Sequence, residues 1–344
     1  MTFQVAVEKS TAKTKAIQTK KINSRLMKGK KDIFIAAFNV QTLQKEGKIP
    51  ELIASADSTK HDIICIQEHR FIHEEFATKE HIFGSWRLIT CSAWKKSVNE
   101  ATGGIRMLFS PQAYNALISA EMITPRIMIA TFNGNPQTTI ISCYSHTNVS
   151  DETKVETFYE DLISVTRQVP KHNILIIAGD LNAHLGQLDG FKYAYHTQTN
   201  RNGSKLKDYI NDNNLLCLNT KYQKRTGQLW IHISPNGSKA QLDYVINNRK
   251  WKNSAKNCRA FNSFVSVASD HRVVSTQIRL SLRANKKKNS NISPYDWTHL
   301  KDNSEIRNTF ITRVKNRFAA LQDTTLTKST NTRYNLFELA CKET

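Results

Sequence analysis

Eight polar residues recur in one setting, at or beside the ends of apolar strand-like runs: Asn39, Glu68, Tyr144, Asp180, Asn182, Asp243, Asp270 and His271. The most informative run is Ile174-Leu-Ile-Ile-Ala-Gly-Asp-Leu-Asn-Ala-His184, where five apolar residues stop at Gly179 and a carboxylate and a carboxamide follow. If extended geometry continues through Leu181, Asp180 and Asn182 leave the same face while Leu181 turns back to the core. Taken alone, the piece is equally a turn in which Asp and Asn cap a buried strand. Turn chemistry does not explain the recurrence, whereas parallel or mixed strands bring their ends into one crevice.

The set is rich in hard oxygen donors. Glu68 and Asp270 are the first candidates to hold a cation, with Asp180 and Asn39 beside them, and His271 is an imidazole with acids near it. The Cys and His clusters that zinc favours are missing, as is a Gly-x-x-x-x-Gly-Lys phosphate loop. An incomplete shell of oxygen ligands suits Mg²⁺, or Mn²⁺, ions that keep waters and share a site with substrate phosphate. Metal-assisted hydrolysis of a phosphodiester follows. For Glu68 the competing reading is a structural ion pair with Arg70.

The elements that must position these groups are legible from periodicity. Ile33 to Val40 predicts a strand delivering Asn39, and Asp62 to Gln67 a second buried strand ending at Glu68. Between them, Ile49, Leu52, Ile53 and Ala56 share one face of a predicted helix over 47–56, which makes a crossover unit. Short β-rich runs follow from Trp86 to Tyr144, separated by Asn, Gly and Pro turns, and the last of them ends at Tyr144. A helix from Asp151 to about Val169, capped by Ser150, feeds the central strand. Beyond Asn182 the pattern predicts a helix near 205–213 and strands at 215–218, 227–233, 241–246 and 273–282. Asp243 points opposite to Leu242 and Tyr244, and Ser269-Asp-His-Arg272 leads into the last strand.

Composition narrows the partners. Lys and Arg outnumber Asp and Glu by 49 to 29, giving a net charge of +20 and a pI near 9.7. Such a surplus favours a polyanion, either nucleic acid or an anionic membrane surface. The six cysteines form no C-x-x-C pair, and Cys65, Cys143 and Cys217 lie inside apolar runs, as reduced thiols of a reducing compartment do. No apolar stretch reaches the length of a membrane span and no signal-peptide segment opens the chain, so secretion is not expected.

Residues 1–31 carry nine Lys or Arg against one Glu and read as a basic disordered tail, in which Lys28 to Lys31 could serve as a nuclear-import signal. Residues 32–283 make the folded domain, 284–303 a charged linker, and 304–344 a basic amphipathic helix followed by a polar, loose tail.

The ordered motifs Phe38-Asn-Val40, Ile66-Gln-Glu-His69, Tyr144, Gly179-Asp-Leu-Asn182, Gln241-Leu-Asp-Tyr244 and Ser269-Asp-His271 resemble those of the endonuclease/exonuclease/phosphatase superfamily. That resemblance implies a deoxyribonuclease-I-like four-layer α/β sandwich of two sheets flanked by helices. More narrowly, Gln67-Glu-His-Arg70, Asn200-Arg-Asn-Gly203, Ser234-Pro-Asn-Gly237, Tyr295-Asp-Trp297 and Val314 to Phe318 resemble the apurinic-like endonuclease of RTE-type non-LTR retrotransposons. In those elements a reverse transcriptase follows, and its absence here is the expectation for a truncated element or a stand-alone endonuclease.

The resemblance implies roles residue by residue. Glu68 would be the main metal ligand, with Asn39 and Asp270 beside the metal. Asp180 would activate the attacking water, and Asn182 and Tyr144 would bind the scissile phosphate. His271, held by Asp243, would contact the phosphate or act as the base. Trp230 would wedge at the DNA surface, with a core position as the alternative. His146 and Gln41 depart from the family pattern, which touches substrate grip more than chemistry. The implied activity is nicking of one DNA strand to leave a 3′-hydroxyl and a 5′-phosphate, in the nucleus or else the cytoplasm. An abasic-site repair endonuclease and a domesticated, non-catalytic DNA-binding protein are the alternatives.

Overall fold

The computed structural model describes residues 17–18, 24–73, 78–97, 100–261, 264, 269–281, 298–325 and 329–342. They fall into two compact units, Met1–Leu282 and Arg283–Thr344.

The first unit is built on two seven-stranded sheets. One runs Ile17–Gln18, Leu117–Thr124, Ile127–Phe132, Thr138–Tyr144, Ile174–Asp180, Asp243–Asn248, Leu215–Cys217 from edge to edge. The other runs Ala255–Ala260, Val274–Arg279, Asp32–Asn39, Ile63–Gln67, Ile105–Phe109, Trp86–Cys91, Thr78–Phe83. Each sheet has one parallel pair near its centre: Thr138–Tyr144 with Ile174–Asp180, and Asp32–Asn39 with Ile63–Gln67. The continuous apolar runs in these strands answer to burial on both faces.

Alternate residues fill different layers, as strand geometry requires. Ile35, Ala37, Ile63 and Cys65 of one sheet pack with Ile140, Ile176, Ala178 and Val245 of the other in the central core. Ile141, Ile177 and Ile246 point outward under the helices Glu152–Gln168 and Arg201–Asp212, which bury Val155, Phe158, Leu162, Leu206 and Ile210. Phe38, Ile64 and Leu108 meet Leu52 and Ala56 of the helix Lys48–Ser58 on the far side. Helix, sheet, sheet and helix make the four-layer α/β sandwich expected from the sequence. Truncating a residue such as Ile176 to Ala in this core would cost about 2–5 kcal/mol.

Register carries the site. Tyr144 stands opposite Asp180, and Asp180 opposite Asp243, so three polar residues form one row across the end of the first sheet. Gly179 makes the row possible, since a Cβ there would be driven into the carbonyl oxygen of Cys143.

Several sequence expectations need correction. Order begins well before residue 32: Ile17–Gln18 pairs with Leu117–Thr124, and Leu26 and Met27 are buried. The Leu26 amide donates to the Asn133 carbonyl, so two apolar residues and a turn anchor a stretch whose lysines read as a tail. Residues 1–16 and 19–23 lie outside the described set. The helix expected near 205–213 starts at Arg201, because the Asn200 side chain accepts the Gly203 amide and caps it. Asp151, not Ser150, caps Glu152–Gln168. Within 227–233 only His232–Ile233 are strand, because their hairpin partner is the two-residue Lys239–Ala240.

The second unit contains Thr298–Asp302, Ser304–Thr325 and Thr330–Lys342, so part of the expected loose tail is helical. Arg307, Arg313 and Lys315 are exposed on the long helix. The basic run at Lys286 and the segment Tyr295-Asp-Trp297 lie outside the described residues. No helix among the described residues is long and apolar enough to cross a membrane.

Candidate active site

The strand ends converge through one buried carboxamide. Asn39 Nδ2 donates to Glu68 Oε2 at 3.2 Å and to Asp180 Oδ2 at 3.0 Å, bridging the two sheets. Its Oδ1 accepts the Gln41 amide at 3.0 Å, so Asn39 binds its neighbours through both ends. Asp180 Oδ1 accepts the Asn182 amide at 2.9 Å, and Asn182 Nδ2 donates to the Ser145 carbonyl at 3.1 Å. Glu68 also holds Arg70, at 2.6 Å from its Oε1, so the ion pair and the strand-end position are both real.

Backbone strain gathers here. Gln41, Glu68, Arg70 and Asn182 adopt positive φ values of 55°, 60°, 63° and 46°. Non-glycine residues take this conformation at a cost of order 1–3 kcal/mol each, and such residues cluster where a site demands a set direction.

On the other flank His271 Nδ1 lies 2.7 Å from Asp243 Oδ2. The carboxylate is fully buried and the imidazole nearly so. Ser269 Oγ donates to the Asn39 carbonyl at 2.6 Å and accepts the His271 amide at 3.0 Å, which ties this flank to the first. One ligand-capable atom from each of Asp180, Asp243 and His271 lies within 4.8 Å of the others. Asp270 accepts from Gln41 Nε2 at 2.6 Å and lies 3.4 Å from His232 Nε2.

Electrostatics follow from that crowding. Burial, then the Asp243 charge, lifts the Asp180 carboxyl to about 7 against the pull of His271 and its hydrogen bonds. Burial lowers His271, but Asp243, with Asp180 and Asp270, outweighs it and raises the imidazole to about 9. Tyr144 is raised by burial first and then by Glu68 and Asp180, so its hydroxyl stays protonated as a donor.

Sequence reasoning missed the supports. Arg126 donates to the Tyr144 carbonyl at 3.0 Å, and its guanidinium lies between the rings of Trp94 and Tyr144, 4.5 and 5.2 Å from their centroids. Asn202, fully buried, donates through Nδ2 to the carbonyls of His146 at 2.9 Å and Asn182 at 3.0 Å. Its place in the Asn200-Arg-Asn-Gly203 motif was the available signal. His69 is structural: its Nδ1 accepts the Phe71 amide, and its Nε2 meets the Cys91 carbonyl.

The structure brings together all the predicted residues but one. Asn39, Glu68, Tyr144, Asp180, Asn182, Asp243, Asp270 and His271 join through the contacts above. Trp230 is outside that hydrogen-bonded set, on the Gly227–Ile233 segment, partly buried, with Arg272 and Lys239 over its ring at 4.1 and 4.8 Å.

Donor chemistry fits a divalent cation. Asp243 Oδ1 and Asp270 Oδ1 are buried oxygens without a hydrogen-bond partner among the described residues, and unpaired buried carboxylate oxygens are costly. Glu68 and Asp270 could hold a hard cation, with Asn39 placed to orient Glu68 rather than to offer its own oxygen.

A profile of the family described as endonuclease-reverse transcriptase matches residues 138–275. Craniofacial development protein 2 of Tragulus javanicus is 26% identical over 274 residues, covering 78% of this chain and 46% of that protein. The same-named protein of Bos taurus is 26% identical over 266 residues, covering 76% and 43%. The chain thus spans less than half the length of these curated relatives. Among solved structures, the endonuclease domain of TRAS1, a telomere-specific non-LTR retrotransposon, aligns with a TM-score of 0.52 at 17% identity, over 73% of this chain and 99% of that one. An AP endonuclease from Leishmania major gives a TM-score of 0.56 at 13% identity, over 73% and 88%. A 3′ phosphatase from Neisseria, bound to a product DNA hairpin, gives 0.53 at 14% identity, over 72% and 100%. At these identities the structural likenesses speak for the fold.

Proposed function

We propose that this chain, which has the deoxyribonuclease-I-like sandwich of endonuclease/exonuclease/phosphatase proteins, is a metal-dependent endonuclease that nicks one DNA strand. The observation that carries the reading is the hydrogen-bonded set of Glu68, Asn39, Asp180 and Asn182, tied through Ser269 to the Asp243–His271 pair. The charge of +20 supports a polyanionic substrate, since DNA affinity comes largely from phosphate neutralisation. A nuclear location and Mg²⁺ or Mn²⁺ as the cation belong to the same proposal.

In this reading Glu68 and Asp270 would hold the cation, which would supply positive charge to offset that of the phosphate. Asp180, its carboxyl lifted toward 7, takes the proton from the attacking water. His271 is an imidazolium at neutral pH, and its Nε2 proton faces charge that builds on the phosphoryl oxygens. Asp243 holds that ring in place. Asn182 and the Tyr144 hydroxyl contact the phosphate, and Arg126 secures the strand end that carries Tyr144. The products are a 3′-hydroxyl and a 5′-phosphate.

An abasic-site repair endonuclease would use the same residues, and an AP endonuclease is among the structural neighbours. Cleavage of matched intact and abasic duplexes, with polymerase extension of the nicked strand, separates the two. Extension from nicks in intact DNA supports the proposal. Cleavage confined to the abasic duplex favours repair, and binding without cleavage of either favours a non-catalytic DNA-binding protein.

A further inference from the structure

The hairpin His232–Ile233 with Lys239–Ala240 brings a second histidine against the site. The Ile233 amide donates to the Asp270 carbonyl at 3.0 Å and the Arg272 amide to the Ile231 carbonyl at 2.8 Å, with His232 and His271 bridged as antiparallel neighbours. Main-chain bonds on both sides therefore fix His232. Its ring lies 4.8 Å from that of His271, tilted by 55°. Asp270 reaches between them, with Oδ2 3.4 Å from His232 Nε2 and Oδ1 3.9 Å from His271 Nε2.

We propose that His232, Asp270 and His271 form a site for a borderline-soft divalent ion, Zn²⁺ foremost, and that its occupation inhibits the nuclease by engaging His271 Nε2 and drawing Asp270 away from the catalytic cation. The inhibitory part rests on the proposed function, and the binding part does not.

Three features carry the assignment. One donor atom from each residue lies within 4.8 Å of the other two. Zinc bonds of about 2.0–2.1 Å in tetrahedral geometry set ligand atoms roughly 3.3 Å apart, so the observed spacings need only small ring rotations. Second, His271 Nδ1 is committed to Asp243, which leaves Nε2 as the outward ligand in the carboxylate–histidine–metal relay common at zinc. Third, Asp270 Oδ1 is a buried acceptor without a partner among the described residues, while Gln41 fixes the other oxygen.

The donor set selects the ion. Two imidazole nitrogens and one carboxylate oxygen suit Zn²⁺ or Co²⁺, whereas Mg²⁺ prefers oxygen and water. Binding moves the Nε2 proton of His271 to solvent, and the affinity rises with pH. A fourth position stays open for water.

The test is a Co²⁺ titration of the metal-free full chain followed by visible absorption, with Zn²⁺ added as competitor. Wild type and Glu68→Gln should give the same Co²⁺ spectrum, displaced by Zn²⁺, and His232→Gln should weaken binding at least about 10-fold. In excess Mg²⁺, Zn²⁺ should inhibit nicking by wild type and spare His232→Gln, whose nicking without Zn²⁺ matches wild type. Equal Co²⁺ affinity in wild type and His232→Gln would overturn the site, as would a spectrum lost in Glu68→Gln and kept in His232→Gln. Nitrogen-15 NMR of wild type with Zn²⁺ decides independently of any variant: coordination shifts at His232 and His271 support the site, and shifts at neither refute it. A wild type that nicks nothing ends the nuclease reading and leaves the titration to decide the site.

Discussion

His271 Nδ1 lies 2.7 Å from Oδ2 of Asp243, a carboxylate with no exposure to solvent. The pairing fixes the imidazole and holds its proton, because the charge and hydrogen bond of Asp243 outweigh the burial that would expel it. Asp243→Asn keeps the shape and removes the charge, so nicking should fall by about 10²-fold or more. Measurement of kcat beside a thermal melt separates this from unfolding, and a variant that is folded and fully active would contradict the assigned role.

Two ionisations should frame the pH–rate profile. Activity should rise as Asp180 loses its proton near about 7 and fall as His271 loses its own near about 9. In Asp243→Asn the falling limb should move to lower pH, since the charge that holds the His271 proton is gone. A profile flat from pH 6 to 10, on the order of the window above, would remove Asp180 and His271 from the proton bookkeeping.

Asn202 should act through others. Its Nδ2 holds the carbonyls of His146 and Asn182, and Asn202→Ala leaves both without that donor. The expected loss of stability is about 1–3 kcal/mol, with a lower kcat, because Asn182 loses its anchor. Asn202→Asp should restore neither, as it cannot donate. Equal melting temperatures and rates for Asn202→Ala and wild type would sink the idea.

Acid should destabilise the fold at a defined place. His61 is buried between Thr59 and Ser275, with Nδ1 2.7 Å and Nε2 2.8 Å from their hydroxyls, and burial lowers it from 6.5 to about 4. Below 6.5 the unfolded chain takes a proton that the folded state refuses, so stability is lost as pH falls from 6.5 to about 4 and levels off below. The lost stability is about 3 kcal/mol from this residue. Denaturant melts across that range should show a shallower slope in His61→Gln than in wild type.

Much of the site was legible because a buried strand must end somewhere, and a polar residue at the end of an apolar run marks the place. Asn39, Glu68, Tyr144, Asp180 and Asp243 were found this way, and register across the sheets brings them together. The Glu68–Arg70 ion pair coexists with the crevice, so the two readings of Glu68 do not compete. Contacts between distant segments left no such mark. Nothing near His232 signals that a two-residue hairpin will set it against Asp270, and the sequence therefore reads as lacking any cluster suited to zinc. Arg126 gave no signal as the first residue of a β-rich run, since its role depends on contacts with the distant rings of Trp94 and Tyr144. Leu26 and Met27 were hidden by surrounding lysines, since two apolar residues give no period.

The most direct measurement is conversion of supercoiled plasmid to open circle in Mg²⁺ by wild type, Asp180→Asn and His271→Ala, each confirmed folded by circular dichroism. Wild type should nick, and each variant should be slower by at least about 10²-fold. Nicking by Asp180→Asn or His271→Ala at the wild-type rate would contradict the assignment of this crevice as the catalytic site.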